Sequence, residues 1–191
     1  MSPRKRRLKR SAIVSALARL DELCAASRNR IEIAIYGGTV MMLAYNCRDA
    51  TQDVDAIFEP PEAVHPLIKQ VALEQKLPED WMNNAVKAFV SNREERITFP
   101  EVNAPNVLMT RPSPKYLLAM KCIAARLPTV FRDGDTSDIK FLLSELDIKS
   151  MEEVDTIVRE FYATRTLENG KRWLIAKLLE EVNSERAARK S

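Results

Sequence analysis

The stretch IEIAIYGGTVMMLAYNCRDATQDVDAIFEP, Ile31–Pro60, contains the pattern that decides the fold. It places two adjacent glycines, half of the four in the chain, fifteen residues before an Asp-Val-Asp triplet. Up to the glycines, apolar residues alternate with polar or small ones, which is typical of a short strand. The residues after the glycines have helical spacing, and Val54–Phe58 again has the pattern of a strand. The stretch therefore predicts a strand, a turn, a helix and a second strand.

Gly37 and Gly38 lie where the first strand passes into the predicted helix Thr39–Tyr45. Because they have no Cβ atoms, they allow a sharp turn and the close approach of another group. The free N–H groups at the start of a helix attract anions such as phosphate, and the Thr39 hydroxyl adds a donor there. The same residues also fit a simpler role, a tight turn in which Thr39 is the N-cap.

Asp53 and Asp55 are two residues apart at the predicted second strand, so their side chains point to the same face. Aspartate is a poor strand residue, and two like charges on one face repel each other. A cation between the carboxylates, or exposure of both to water, would relieve that repulsion. Mg²⁺ prefers carboxylate oxygens together with the phosphates of a substrate. The pair therefore indicates either a metal site or a solvent-exposed strand start.

The composition is that of a globular chain, with 46% hydrophobic and 30% charged residues among 191. No apolar run approaches the ~18 residues of a membrane span, and the N-terminus lacks the apolar part of a secretory signal. Three widely spaced cysteines and a single histidine argue against a structural zinc site. We therefore expect free thiols and a cytoplasmic protein that does not enter a membrane.

The net charge of +3 comes from the N-terminal tail. Six basic residues there have no acid nearby, and removing their six charges from +3 leaves −3 for the remainder. The body of the protein is therefore not a general nucleic-acid binder, and a polyanion site must come from local clustering. The six residues are Arg4, Lys5, Arg6, Arg7, Lys9 and Arg10.

The order of predicted elements favours an α+β fold over a doubly wound sheet. Residues 1–30 are predicted to form a basic tail and the helix Ser11–Ala26, residues 31–112 a core with a small mixed sheet, and residues 113–191 a helical C-terminal subdomain. The remaining predicted helices are Glu62–Gln75, Asp80–Phe89, Lys115–Leu127, 136–146, 150–163 and 170–182, and the remaining strands are Ile97–Phe99 and Val107–Met109.

The order of the glycine pair and the aspartate pair resembles the nucleotidyltransferases of the DNA polymerase β type. Their signature is an apolar residue, a glycine, a glycine or serine, a spacer of roughly ten residues and an Asp-apolar-Asp motif. Residues 36–38 and 53–55 match it here. Arg48 and Thr51 also match the stretch before the second motif of that family. The resemblance implies that residues 31–112 form a nucleotidyltransferase core.

In that family the two carboxylates hold Mg²⁺, which carries a nucleoside triphosphate and activates an attacking hydroxyl. The resemblance therefore implies that Asp53 and Asp55 are catalytic and bind Mg²⁺. It implies that Gly37, Gly38 and Thr39 bind the triphosphate of the nucleotide. The expected activity is transfer of a nucleotidyl group to an acceptor hydroxyl.

The predicted helix Lys115–Leu127 is strongly apolar, and Lys121 shares a face with small and apolar residues. A lysine there must extend to solvent or meet an anion. Asp138 in the first turn of the next helix could simply complement the helix dipole. The arrangement of Lys121, Arg126 and Asp138 nevertheless resembles the AbiEii/MenT branch of these nucleotidyltransferases, toxin-like enzymes encoded in toxin–antitoxin or phage-resistance modules.

The resemblance to this branch implies catalytic roles for Lys121 and Asp138 and nucleotide binding by Arg126. It also implies that the acceptor is tRNA or a protein side chain and that a small antitoxin protein is a partner. The stretch Glu79–Phe89 resembles the W-x-N segment of an uncharacterised bacterial subgroup.

Two departures from the family pattern keep a second interpretation open. The fourteen-residue spacer between the motifs is long, which predicts a loop between Asn46 and Gln52. The third carboxylate of the classical family has no clear counterpart, although Glu94, Glu95 and Glu101 lie in the right part of the chain. The alternative is a catalytically inactive nucleotide- or nucleic-acid-binding module of the same fold.

Overall fold

The computed structural model describes residues 7–26, 30–126 and 134–190. The chain divides into an N-terminal unit, Met1–Ala88 with Arg96–Pro112, and a C-terminal unit, Phe89–Glu95 with Ser113–Ser191. The first six residues of the predicted basic tail and the end of the predicted helix Lys115–Leu127 lie outside the described residues. Within the described ranges, every helix is too short or too polar to span a lipid bilayer.

A small mixed sheet forms the centre of the N-terminal unit. The strands are β1 (Leu8–Lys9), β2 (Ile31–Ile35), β3 (Ala50–Thr51), β4 (Val54–Glu59), β5 (Met82–Asn83), β6 (Arg96–Thr98) and β7 (Val107–Pro112), and the helices are α1 (Arg10–Cys24), α2 (Gly37–Leu43) and α3 (Pro61–Gln75). Five strands form the main sheet in the order β5-β4-β2-β7-β6. Strand β2 is antiparallel to β4 and parallel to β7, which confirms the predicted α+β class.

One face of the main sheet is buried, and the alternate positions face the other way. The buried positions of β4 are Val54, Ala56 and Phe58. Ile33 in β2 lies beside Phe58 and Met109 of the neighbouring strands, so apolar side chains meet on the buried face. Because side chains alternate along a strand, Asp55 projects from the opposite, partly exposed face.

The N-terminal segment pairs with the spacer between the glycine and aspartate motifs. Strands β1 and β3 form a two-stranded antiparallel sheet in which Leu8 lies opposite Thr51. Arg10 donates hydrogen bonds to the carbonyl oxygens of Met42 and Leu43 at the end of α2. The predicted spacer loop therefore contains a short strand, and the segment before α1 holds that strand in place.

The predicted helix Asp80–Phe89 is wrong, because the chain forms β5 and then a 3-10 helix, Ala85–Phe89. The Val54 N–H donates to the Trp81 carbonyl over 2.7 Å. The buried Trp81 indole donates to the Ile68 carbonyl over 3.0 Å. These tertiary contacts draw the segment to the edge of the sheet and override its helical pattern.

The C-terminal unit is helical. Its helices are α4 (Pro114–Ala124), α5 (Gly134–Glu145), α6 (Met151–Phe161) and α7 (Asn169–Lys190). Helix α4 packs against α5 and α6, and α5 packs against α7. The last helix is longer than the predicted 170–182, because Arg186 donates to the carbonyls of Leu143 and Ile148 and so anchors its end.

Candidate active site

Gly37 and Gly38 form the start of α2, and we call them the glycine turn. Gly37 is in direct contact with Asp55. Gly37 has a φ of +64°, a left-handed conformation that glycine adopts without a steric penalty. A Cβ atom added at Gly37 would lie 2.4 Å from Asp55 Oδ2, so the carboxylate occupies the space that a side chain would fill. The Tyr36 N–H also donates to the Asp55 carbonyl over 2.8 Å. The missing side chain is therefore what lets β2 and β4 bring this turn against a carboxylate.

Gly38 is packed against two side chains from the spacer. A Cβ atom at Gly38 would lie 2.7 Å from Thr51 Oγ1 and 3.1 Å from the Arg48 Nη1. The guanidinium group is therefore next to the backbone at the start of α2. Thr51 belongs to β3, which pairs with β1, and Arg48 lies three residues before it.

Asp53 precedes β4 and is held from two sides. The hydroxyl of the fully buried Thr39 donates to the Asp53 carbonyl over 3.2 Å. The Asn83 amide Nδ2 donates to Asp53 Oδ2 over 3.0 Å. The structure thus gives Thr39 a bond that fixes the backbone carrying the first carboxylate. Asn83, which was not among the predicted site residues, lies at the carboxylate itself.

Both aspartates are half-buried, and Asp55 lies on the partly exposed face of the sheet. Mg²⁺ is commonly bound by one or two carboxylates, with waters and substrate phosphates completing its octahedron, so this donor set fits the ion. Among the described residues, no three His, Cys, Asp or Glu side chains form a metal-binding group. Glu101, a candidate for the third carboxylate, instead pairs with Arg111 at 3.6 Å.

In the C-terminal unit, Lys121 on α4 meets Asp138 on α5. The distance from Lys121 Nζ to Asp138 Oδ2 is 2.7 Å, and the side chains are 12% and 1% exposed. Lys121 therefore contacts an anion, the Asp138 carboxylate, and does not extend to solvent. Asp138 is therefore more than a helix-dipole residue, because it is the buried partner of the lysine.

Arg126 lies two residues beyond the end of α4 and is exposed to solvent. The three residues predicted in this unit are thus an ion pair of a half-buried lysine with a buried aspartate, and an arginine at the surface. Gly37, Gly38, Thr39 and the two aspartates belong to the N-terminal unit.

We expect Gly37→Ala to lower both stability and activity. A side chain in the left-handed region costs about 1–2 kcal/mol, and the new methyl group would overlap the Asp55 carboxylate. Urea unfolding and nucleotide-transfer assays would measure the two effects. Gly170→Ala, within α7, is the control, and equal behaviour of the two variants would contradict the role given to Gly37.

We expect the three thiols to differ in reactivity. Burial, with a smaller contribution from Asp21, raises the pKa of Cys24 to about 11. Burial, with a smaller contribution from Asp155, raises the pKa of Cys122 to about 12. At pH 8 their thiolate fractions are roughly 10⁻³ and 10⁻⁴, whereas Cys47 is only half-buried.

Iodoacetamide at pH 8 should therefore modify Cys47 first in the native protein and the other two only after unfolding. Mass spectrometry of tryptic peptides over a time course would measure this order. Rapid modification of Cys122 in the folded protein would contradict the packing described here.

A family model described as "Nucleotidyltransferase of unknown function (DUF6036)" matches residues 14–177 of the chain. The match spans most of both units and includes every predicted site residue from Gly37 to Asp138. No curated protein and no solved structure matches the chain significantly. The family description names a class of reaction and assigns no role to any residue.

Proposed function

The chain belongs to the DUF6036 family of nucleotidyltransferases, and from this premise we propose that it moves a nucleotidyl group from a nucleoside triphosphate to an acceptor hydroxyl. The acceptor oxygen forms a bond to the α-phosphorus, and the bond from that phosphorus to the bridging oxygen of the β-phosphate breaks. Pyrophosphate leaves, and the proton of the hydroxyl passes to a base. The reaction needs no oxidant or reductant.

The observation that carries the proposal is the contact between the glycine turn and Asp55. This contact brings a turn that has no side chains against the Asp55 carboxylate. The Asp53 carboxylate, held by Asn83, lies two residues earlier in the chain. The missing side chains let the Asp55 carboxylate and the Arg48 guanidinium reach the turn, so a triphosphate bound there would lie beside a metal ligand and a positive charge. Asp53 and Asp55 would hold Mg²⁺, which would offset the negative charge of the triphosphate.

Around this centre we assign roles to the neighbouring residues. The backbone of Gly37 and Gly38 would face the phosphates, and Thr39 would support that site through its bond to the Asp53 carbonyl. The Arg48 guanidinium beside Gly38 would add a positive charge for the phosphate oxygens. These roles orient the triphosphate, which is the main contribution that a protein makes to this type of transfer.

For the C-terminal unit we propose that Lys121 and Arg126 offset phosphate charge and that Asp138 orients Lys121. The short contact between Asp138 and the Lys121 ammonium supports an orienting role over that of a general base. An ammonium held by a buried carboxylate is preorganised, so it loses little entropy when an anion binds.

We further propose that the chain belongs with the AbiEii/MenT toxin-like branch. The Lys121 and Asp138 pairing supports this assignment. On this proposal the acceptor is tRNA or a protein side chain, the partner is a small antitoxin protein, and the reaction takes place in the cytoplasm.

A second candidate is an inactive nucleotide- or nucleic-acid-binding module of the same fold. The observation in its favour is that the described residues hold no group of three metal-binding side chains. This candidate predicts nucleotide binding without any transfer.

The test is incubation of the purified protein with each of the four α-³²P-labelled nucleoside triphosphates, Mg²⁺ and total tRNA. Parallel reactions would replace tRNA with a protein extract. Labelled tRNA or labelled protein is the expected result and identifies the acceptor class. Nucleotide binding with no labelled acceptor and no pyrophosphate release would favour the inactive module.

A further inference from the structure

Asn83 lies next to both proposed metal ligands. It is in register with Asp55 in the parallel pairing of β4 and β5. Its amide Nδ2 donates to Asp53 Oδ2 over 3.0 Å. Asn83 is thus the neighbour of Asp55 in the strand register and the hydrogen-bond donor to Asp53.

The orientation of this amide is fixed by its second hydrogen bond. Asn83 Oδ1 accepts the N–H of Ala85 over 3.0 Å at the start of the 3-10 helix. Because the amide oxygen is engaged there, the amide NH₂ group must face the carboxylate. The buried Trp81, whose indole and carbonyl are both hydrogen-bonded, fixes the backbone two residues earlier.

We infer that Asn83 is a positioning residue of the metal site, an inference that rests on the proposed function of Asp53 and Asp55. The amide holds Asp53 Oδ2, so a cation would meet this carboxylate in one fixed orientation. It also adds a donor without a third negative charge, which limits the repulsion between the two carboxylates when no cation is bound. Residues that orient a ligand in this way commonly contribute tenfold or more to metal affinity.

A purely structural role for Asn83 makes a different prediction. The bond to Ala85 forms a local turn, and that turn requires only the side-chain oxygen. Aspartate at position 83 would preserve the turn. It would remove the hydrogen-bond donor to Asp53 and place a second negative charge about 3 Å from the Asp53 carboxylate. Alanine would lose both bonds. The two substitutions therefore separate the turn from the metal site.

The experiment uses Mn²⁺, which accepts the same oxygen ligands as Mg²⁺. Loss of the free-ion signal in electron paramagnetic resonance would give its dissociation constant without nucleotide, and thermal unfolding would be followed with and without the ion. Asn84→Ala is the matched control, because Asn84 is an exposed asparagine next in the chain.

We expect Asn83→Ala to weaken Mn²⁺ binding about tenfold relative to Asn84→Ala. We expect Asn83→Asp to melt below wild type without the ion and to gain more stability from Mn²⁺ than wild type gains. The inference is overturned if Asn83→Ala binds Mn²⁺ as tightly as the control, whatever the melting temperature of Asn83→Asp. If wild type binds no Mn²⁺ and labels no acceptor, the proposed function fails, and this inference fails with it.

Discussion

Replacing Asp55 with asparagine should reduce nucleotide transfer on the order of 10³-fold, the scale of losing one preorganised electrostatic contact at a reaction centre. The substitution keeps the shape of the side chain beside Gly37 and removes its negative charge. A neutral amide is a weaker ligand for Mg²⁺ than a carboxylate, so the triphosphate would lose its charge compensation. Initial rates of incorporation from the preferred α-³²P-labelled triphosphate would measure the effect.

Asp49→Asn is the matched control for this prediction. Asp49 is an exposed aspartate in the spacer that leads to the same site, so its loss changes the net charge by the same amount. We expect it to keep transfer within a few-fold of wild type. Equal rates for wild type and Asp55→Asn would remove the basis for the proposed metal site.

Removing Asp138 should destabilise the protein by about 3–5 kcal/mol, the usual cost of breaking a buried ion pair by deleting one partner. Asp138 is 1% exposed and lies 2.7 Å from the Lys121 ammonium, which is itself 12% exposed. In Asp138→Ala that amino group would lose its ionic partner in a site with little water. The free energy of unfolding, from urea titrations followed by circular dichroism, would measure the loss.

Lys140→Ala is the control for this prediction. Lys140 pairs with Glu181 at 3.1 Å and Glu185 at 2.9 Å, and all three side chains are much more accessible than Asp138. We expect this substitution to cost at most about 1 kcal/mol, as surface ion pairs usually do. A similar cost for Asp138→Ala would show that the Lys121 ammonium is solvated.

The double substitution Lys121→Met and Asp138→Leu separates stability from function. Well-packed apolar residues often replace a buried ion pair without loss of stability, because both desolvation penalties disappear. We therefore expect this variant to regain most of the stability lost in Asp138→Ala. Its rate of nucleotide transfer should nevertheless be well below that of wild type, because methionine cannot offset phosphate charge. Full transfer by the double variant would assign the pair a structural role alone.

The strands and helices near the glycine and aspartate motifs could be predicted from sequence because the relevant signals are local. Alternating apolar residues gave β2 and β4, and the helical spacing after the glycines gave α2. The end of α7 and the segment Asp80–Phe89 were predicted wrongly, since both depend on contacts with distant residues. Arg186 extends the helix through carbonyls more than thirty positions away, and Trp81 joins the sheet through Val54.

The candidate site divides in the same way. The sequence alone determined that two glycines precede two aspartates, and it predicted that Asp53 and Asp55 share one face of a strand, whereas in the structure that strand begins at Val54. Only the tertiary structure decided that Gly37 touches Asp55, that Arg48 reaches Gly38, and that Asn83 holds Asp53. These contacts come from strand register and from the pairing of β1 with β3. They join residues far apart in the chain, so no local spacing records them.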